Sequence, residues 1–176
     1  MISPESPVRQ AKPTPRAELL WFLDAQRGSV RAIVDGLTPQ DAGRAVLPSG
    51  WAVAGMVAHL AGAEDFWFRQ VLAGGQGPPP WRDGDADVHA DGVFGSTHAL
   101  PTALRWYGSA CAASNSVMED VDMDASPRGP VLPDLADEIH TARGIVLHMI
   151  EETARHAGHL DAARELLDGV TGLGPR

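Results

Sequence analysis

Apolar residues recur at helical spacing in four stretches of this 176-residue chain. In the first, Leu20, Leu23, Val30, Val34 and Leu37 share one face, as residues three, four and seven apart do on an α-helix. Thr14 followed by Pro15 supplies a start: a hydroxyl that accepts from otherwise free backbone N–H groups, then a ring already set at helical φ. Gly36 and Pro39 close the stretch. The second runs from Trp51 to about Ala73 on Val53, Met56, Val57, Leu60, Trp67 and Val71. The third runs from about Pro101 to Val121 on Leu104, Tyr107, Cys111, Met118 and Val121. The fourth begins near Thr141, carries Val146, Ile150, Thr153, Ala157, Leu160 and Leu167, and stops at Gly169, a residue free to take the left-handed conformation that ends helices. No run alternates with a period of two, so no sheet is expected.

Four amphipathic helices predict an all-α protein, a four-helix bundle over residues 14–172. Residues 1–13, rich in Pro and Ser, read as a disordered tail. The connection 74–96 is long, with glycines, three consecutive prolines and four aspartates. Segments of that kind serve as lids or are simply mobile, and Trp81 and Phe94 give this one apolar residues with which to close over a cleft. Its Asp83-Gly84-Asp85-Ala86-Asp87 run resembles the start of a calcium loop. Val88 stands where such a loop needs Gly and Phe94 where it needs Glu, so it is not an EF-hand.

Composition narrows the function classes. The chain has 14 basic and 23 acidic residues, a net charge of −9, spread along its length. A nucleic-acid surface needs clustered Lys and Arg, so no nucleic-acid partner is expected. No apolar run reaches the roughly 18 residues of a membrane span, and no apolar core follows the N-terminus as in a secretion signal. A cytoplasmic protein without a membrane partner is the expectation. One cysteine, Cys111, excludes an internal disulfide and a Cys-rich zinc module. Flanked by Ala110, Ala112 and Ala113, it reads as a small buried hydrophobe.

The densest chemistry lies in His148-Met149-Ile150-Glu151-Glu152-Thr153-Ala154-Arg155-His156-Ala157-Gly158-His159. Residues four apart on a helix have Cβ atoms roughly 5–6 Å apart, so Glu152 and His156 can grip one cation, with His148 and His159 flanking them. His59 borders the apolar stripe of the second helix. One ligand from one helix and two from another is how a bundle builds a metal site. Two readings are open on spacing alone: a metal site at His59, Glu152 and His156, or a surface Glu152–His156 pair beside a core histidine. Two imidazoles and a carboxylate with positions left open suit catalytic zinc; nickel, iron and manganese are alternatives.

Met149 to Gly172, reading MIEETARHAGHLDAARELLDGVTG, resembles the C-terminal helix of DinB-like proteins of the mycothiol-dependent S-transferase group. Pro48-Ser49-Gly50-Trp51, Met56-Val57-Ala58-His59-Leu60-Ala61 and Trp67-Phe68 are similar to that group's second helix, and Arg105-Trp106-Tyr107 through Cys111 to its third. The resemblance covers roughly residues 17–172. It implies a four-helix bundle in up-down-down-up order and a metal held by a second-helix histidine and two last-helix residues four apart. Those fall here on His59, Glu152 and His156. The carboxylate version of this triad is the one of mycothiol-dependent maleylpyruvate isomerase. Ala142-Arg143-Gly144 departs from the Leu-Arg-Trp that relatives often carry at the start of the last helix.

The function implied is activation of a low-molecular-weight thiol such as mycothiol, the cosubstrate, for S-transfer to an electrophilic small molecule. A thiol with a pKa of about 8.5 is mostly protonated at neutral pH, and zinc deprotonates it. Within the same motif, His159, Arg155, Asp161 and Arg164 are candidates for orienting the ligands. Thiol-dependent cis-trans isomerisation, metal-dependent hydrolysis and non-catalytic metal binding in a stress protein are the alternatives. A homodimer is compatible with the pattern but not specified by it.

Overall fold

A computed structural model describes residues 12–79 and 98–172. The N-terminal tail up to residue 11, the calcium-like run, Trp81 and Phe94 lie outside the described residues. The described residues hold five α-helices and no strand: α1 (Pro15–Val34), α2 (Pro39–Ala42), α3 (Val53–Glu64), α4 (Leu100–Met118) and α5 (Ala142–Asp168).

The Thr14 cap expected from the sequence accepts from the Ala17 N–H at 3.2 Å. Thr141, near which the fourth helix was expected to begin, is also a cap and accepts from the Gly144 N–H at 3.2 Å. Gly169 ends α5 at φ 78°, where a side chain would be strained. Two features depart from the expected pattern. Pro39, expected only to end the first helix, opens the short α2, because Thr38 caps it through the Asp41 N–H at 3.1 Å. The second predicted helix changes hydrogen-bonding pattern midway: α3 gives way at Asp65 to a π-helical segment, Asp65–Leu72. The wider winding is held by side chains. Asp65 accepts from Arg69 Nε at 2.5 Å, Arg69 Nη2 at 2.8 Å and Gln70 Nε2 at 2.8 Å. The carbonyls left free at the segment's end receive the N–H groups of Arg128 and Gly129, which bond to Val71 O at 3.1 and 2.8 Å. Gly129 is required there, since a Cβ would sit 2.2 Å from Gln70 O.

Helix directions follow from long-range contacts. Arg16, in the first turn of α1, donates to the carbonyl of Met118 at the end of α4 and to that of Val121 just beyond it, so these two helices run opposite ways. Arg164, near the end of α5, donates to Ile33 O at 2.6 Å and Asp35 O at 2.7 Å at the end of α1, so those two run together. Along α3 and its extension, Trp51, His59 and Trp67 meet His159, His156 and His148 in that order, so α3 opposes α5. The order is up, down, down, up for α1, α3, α4 and α5.

Two hydrophobic clusters fill the interior. One is built on Val30, Ile33, Val57, Leu60, Tyr107 and Leu160, the other on Leu23, Phe68, Val71, Ile145 and Met149. A charged pair ties three helices together. Arg27, 2% exposed, makes a two-pronged contact with the fully buried Glu64, Nε–Oε1 2.7 Å and Nη2–Oε2 2.6 Å. Its Nη1 also donates to Asp24 at 2.8 Å and Asn115 at 2.7 Å. Burial works against the guanidinium's charge, but the Glu64 bonds more than offset it, and the Arg27 pKa lies above its ordinary value.

Candidate metal centre

His59 and the pair Glu152 and His156 come from facing helices, α3 and α5. Their positions follow from the two helical repeats. Both sets border the apolar stripes that pack into the core, so the side chains emerge obliquely into the cleft between the helices. Glu152 Oε1 stands 3.2 Å from His59 Nε2 and 3.0 Å from His156 Nε2. One potential ligand atom from each residue lies within 4.8 Å of the others. The side chain of His156 is 8% exposed, those of His59 and Glu152 19% and 16%, so the cluster is walled by protein yet open on one side.

The electrostatics suit a cation. The His156 contact first, and the His59 contact second, hold the Glu152 carboxyl well below the usual carboxylate range, against the opposing pull of burial. The carboxylate is thus ionised, the form a metal needs. Two imidazole nitrogens converging on one carboxylate oxygen form a donor set of the His₂–carboxylate type, which leaves positions open on a tetrahedral ion. The residues present fit a divalent metal.

Four further residues were candidates for orienting these ligands, and the structure separates them. His159 stands 5.7 Å from His156, ring centroid to centroid, and 6.4 Å from Trp51. Arg155 is on the rim, paired with Glu151 and with its Nη1 3.9 Å from Glu152 Oε2. Arg164 and Asp161 are engaged elsewhere. Arg164 binds Asp168 and the end of α1, and Asp161 accepts from the Gly172 N–H at 2.6 Å. His148, read as a flanking histidine, packs on Trp67 with ring centroids 4.6 Å apart. Burial pushes its pKa below the ordinary value, against the pull of Glu152 and Glu151.

Sequence reasoning passed over the ring contacts of Trp51 and Trp67 and the Arg27–Glu64 pair. A signal for the pair was present: Arg27 falls at the spacing of the Leu23–Val30–Val34 stripe, and a charge placed there needs a partner. Cys111 is buried as expected, and burial first, then the Glu64 charge, pushes its thiol up to about 12. A cavity of about 440 Å³ lies between α1 and α4, lined by Arg31, Val34, Leu37, Leu100 and Leu104. None of the three candidate ligands borders it.

The sequence pattern of the mycothiol-S-transferase family matches residues 18–169. The chain belongs to this family. Its match spans all five helices from the first turns of α1 to the glycine that ends α5, so the His59, Glu152 and His156 cluster lies inside it. Among solved structures, the family member is similar to a conserved protein from Enterococcus faecalis, with a TM-score of 0.67 and 13% sequence identity. The alignment covers 90% of this chain and 100% of that one. At that identity the likeness shows the fold, a DinB-like helical bundle. No curated protein sequence matches the chain. Family membership points to a thiol substrate and, with the His–Glu–His cluster, to a divalent metal. Among the described residues, no helix is long and apolar enough to cross a membrane.

Proposed function

We propose that this protein is a metal-dependent thiol S-transferase, with zinc as the metal, held by His59 Nε2, Glu152 and His156 Nε2. The observation that carries the reading is the convergence of both imidazoles on Glu152 Oε1, at 3.2 and 3.0 Å, in a chain of the mycothiol-S-transferase family. A divalent cation there would offer an open coordination position to a thiol sulfur and favour its deprotonated form. In the overall reaction the sulfur gains a bond to the electrophilic carbon. The thiol proton leaves to solvent, and the electrophile either releases its leaving group or takes up a proton.

The chain's own residues divide the remaining work. Glu152 supplies the negative charge, and the two histidines supply neutral lone pairs. The partly exposed edge of the cluster leaves an approach from solvent. Transfer is favoured over hydrolysis by what stands beside the cluster. In zinc hydrolases with the H-E-x-x-H pattern, a glutamate next to a ligand histidine acts as the base for water. Here Glu152 is committed to the cluster. Glu151 projects about 100° away around the helix, where it is well exposed and paired with Arg155. A thiol deprotonated by a cation needs no such base.

The test is consumption of an electrophile panel by metal-analysed protein with and without a low-molecular-weight thiol. Consumption should require both metal and thiol, and Glu152→Ala should abolish it. Metal-dependent hydrolysis at full rate without thiol would falsify the reading.

A further inference from the structure

The cavity on the seam between α1 and α4 has a volume of about 440 Å³, within the roughly 300–1,000 Å³ of small-molecule pockets. The candidate metal ligands belong to a different seam, between α3 and α5. Its apolar walls are Val34 and Leu37 on one side and Leu100 and Leu104, in the first turns of α4, on the other. Gly36, at φ 72°, turns the chain after α1, and Leu37 then packs against the core. Two opposite charges line the same space. Arg31 and Asp35 are one helical turn apart, the spacing at which such residues pair on a helix surface, yet they do not pair. Arg31 is held across the seam instead, its guanidinium 5.3 Å from the centre of the buried Tyr107 ring. Asp35 is fixed through its backbone, whose carbonyl accepts from Arg164 at 2.7 Å. Among the described residues, neither side chain has a hydrogen-bond or ion-pair partner. The helix ends repeat the pattern. α1 stops at this cavity, and a helix C-terminus favours a cation; α4 starts there without a side-chain cap, and a helix N-terminus favours an anion.

We propose that this cavity is a binding site for a small zwitterion with an apolar body, of the class of the aliphatic α-amino acids. Arg31 offers the planar fork of its guanidinium to the carboxylate, Asp35 accepts from the ammonium, and the four aliphatic side chains take the body. A molecule with one charge alone satisfies only one of the two residues, and a polar side chain finds no partner on the aliphatic walls. The site uses none of the candidate metal ligands, so it stands apart from the S-transferase reading.

Titration of the isotope-labelled protein by NMR with leucine, isocaproate and isoamylamine tests each charge on one hydrocarbon body. Leucine should bind at least about fivefold more tightly than either relative. Arg31→Gln should weaken leucine and isocaproate by about that factor and spare isoamylamine. Asp35→Asn should weaken leucine and isoamylamine and spare isocaproate. Both positions are exposed, so the fold tolerates either change. Amide shifts should centre on Val34 and Leu104, and they should persist in Glu152→Ala, which lacks a ligand for any metal that could itself hold an amino acid. Four results would each overturn the proposal: no saturable leucine binding in the millimolar range, equal binding of leucine and either relative, variants that fail to split the three ligands in this way, or binding lost in Glu152→Ala.

Discussion

Replacing Glu64 by Gln keeps the shape of the side chain and removes its charge, leaving the Arg27 guanidinium buried at 2% exposure. Both prongs of the contact, at 2.7 and 2.6 Å, then end on a neutral amide that can accept at one atom only. Asp24 remains as a partner at 2.8 Å, but its side chain is 59% exposed, and pairs of that kind contribute about 0–1 kcal/mol. The expected loss is therefore the cost of an orphaned buried charge, about 3–5 kcal/mol. Against a total stability of roughly 5–15 kcal/mol, that is a large fraction, and for a chain of this size it lowers Tm by roughly 6–20 °C. The double variant Arg27→Met/Glu64→Leu removes both charges and fills similar volume. Asp24 and Asn115, both exposed, return to water, so it should recover most of the loss. Urea unfolding followed by helical circular dichroism, with equal slopes across the wild type, Arg27→Met, Glu64→Leu and the double variant, gives the four corners of the cycle, with Glu64→Gln measured beside them. A loss below about 1 kcal/mol in Glu64→Gln, or a double variant as unstable as the sum of the singles, would refute the reasoning.

His156→Ala should lose stoichiometric metal while circular dichroism stays helical; unchanged metal content by elemental analysis would remove His156 from the ligand set. Metal retention should weaken between neutral and mildly acidic pH, as protons compete for the imidazoles, which dialysis at graded pH reads directly. The metal-free pairing of Glu152 has its own sign: a carboxyl held below its unfolded value adds stability above that value and loses it as pH falls, so chelated protein should soften towards acid more than Glu152→Gln does. The Cys111 thiol, pushed up to about 12, should resist iodoacetamide at pH 8 until the chain unfolds. Its raised pKa contributes stability below the unfolded value near 9, lost as pH rises towards 12. Gly129→Ala, whose Cβ would meet Gln70 O at 2.2 Å, should cost at least about 1–3 kcal/mol in denaturant titration.

The helices were legible because each carries local instructions. Thr14-Pro15, Thr141 and Gly169 mark ends through hydrogen bonds and φ values that involve only near neighbours, and the 3.6-residue repeat marks the buried face. The π-helical turn at Asp65 was not legible. It depends on Arg69 and Gln70 closing on Asp65, and on Gly129 arriving from far along the chain to satisfy Val71 O. A periodicity read over one segment contains none of that.

The site divides the same way. The Glu152–His156 spacing belongs to the sequence, since four residues on a helix place two side chains together wherever the helix goes. That His59 Nε2 closes to 3.2 Å of the same carboxylate oxygen was decided by the packing of α3 against α5, as were the Trp67–His148 contact and the burial of Arg27 on Glu64. Spacing within a helix is covalent geometry repeated. A distance between helices is set by how two apolar faces interlock, and only the folded chain states it.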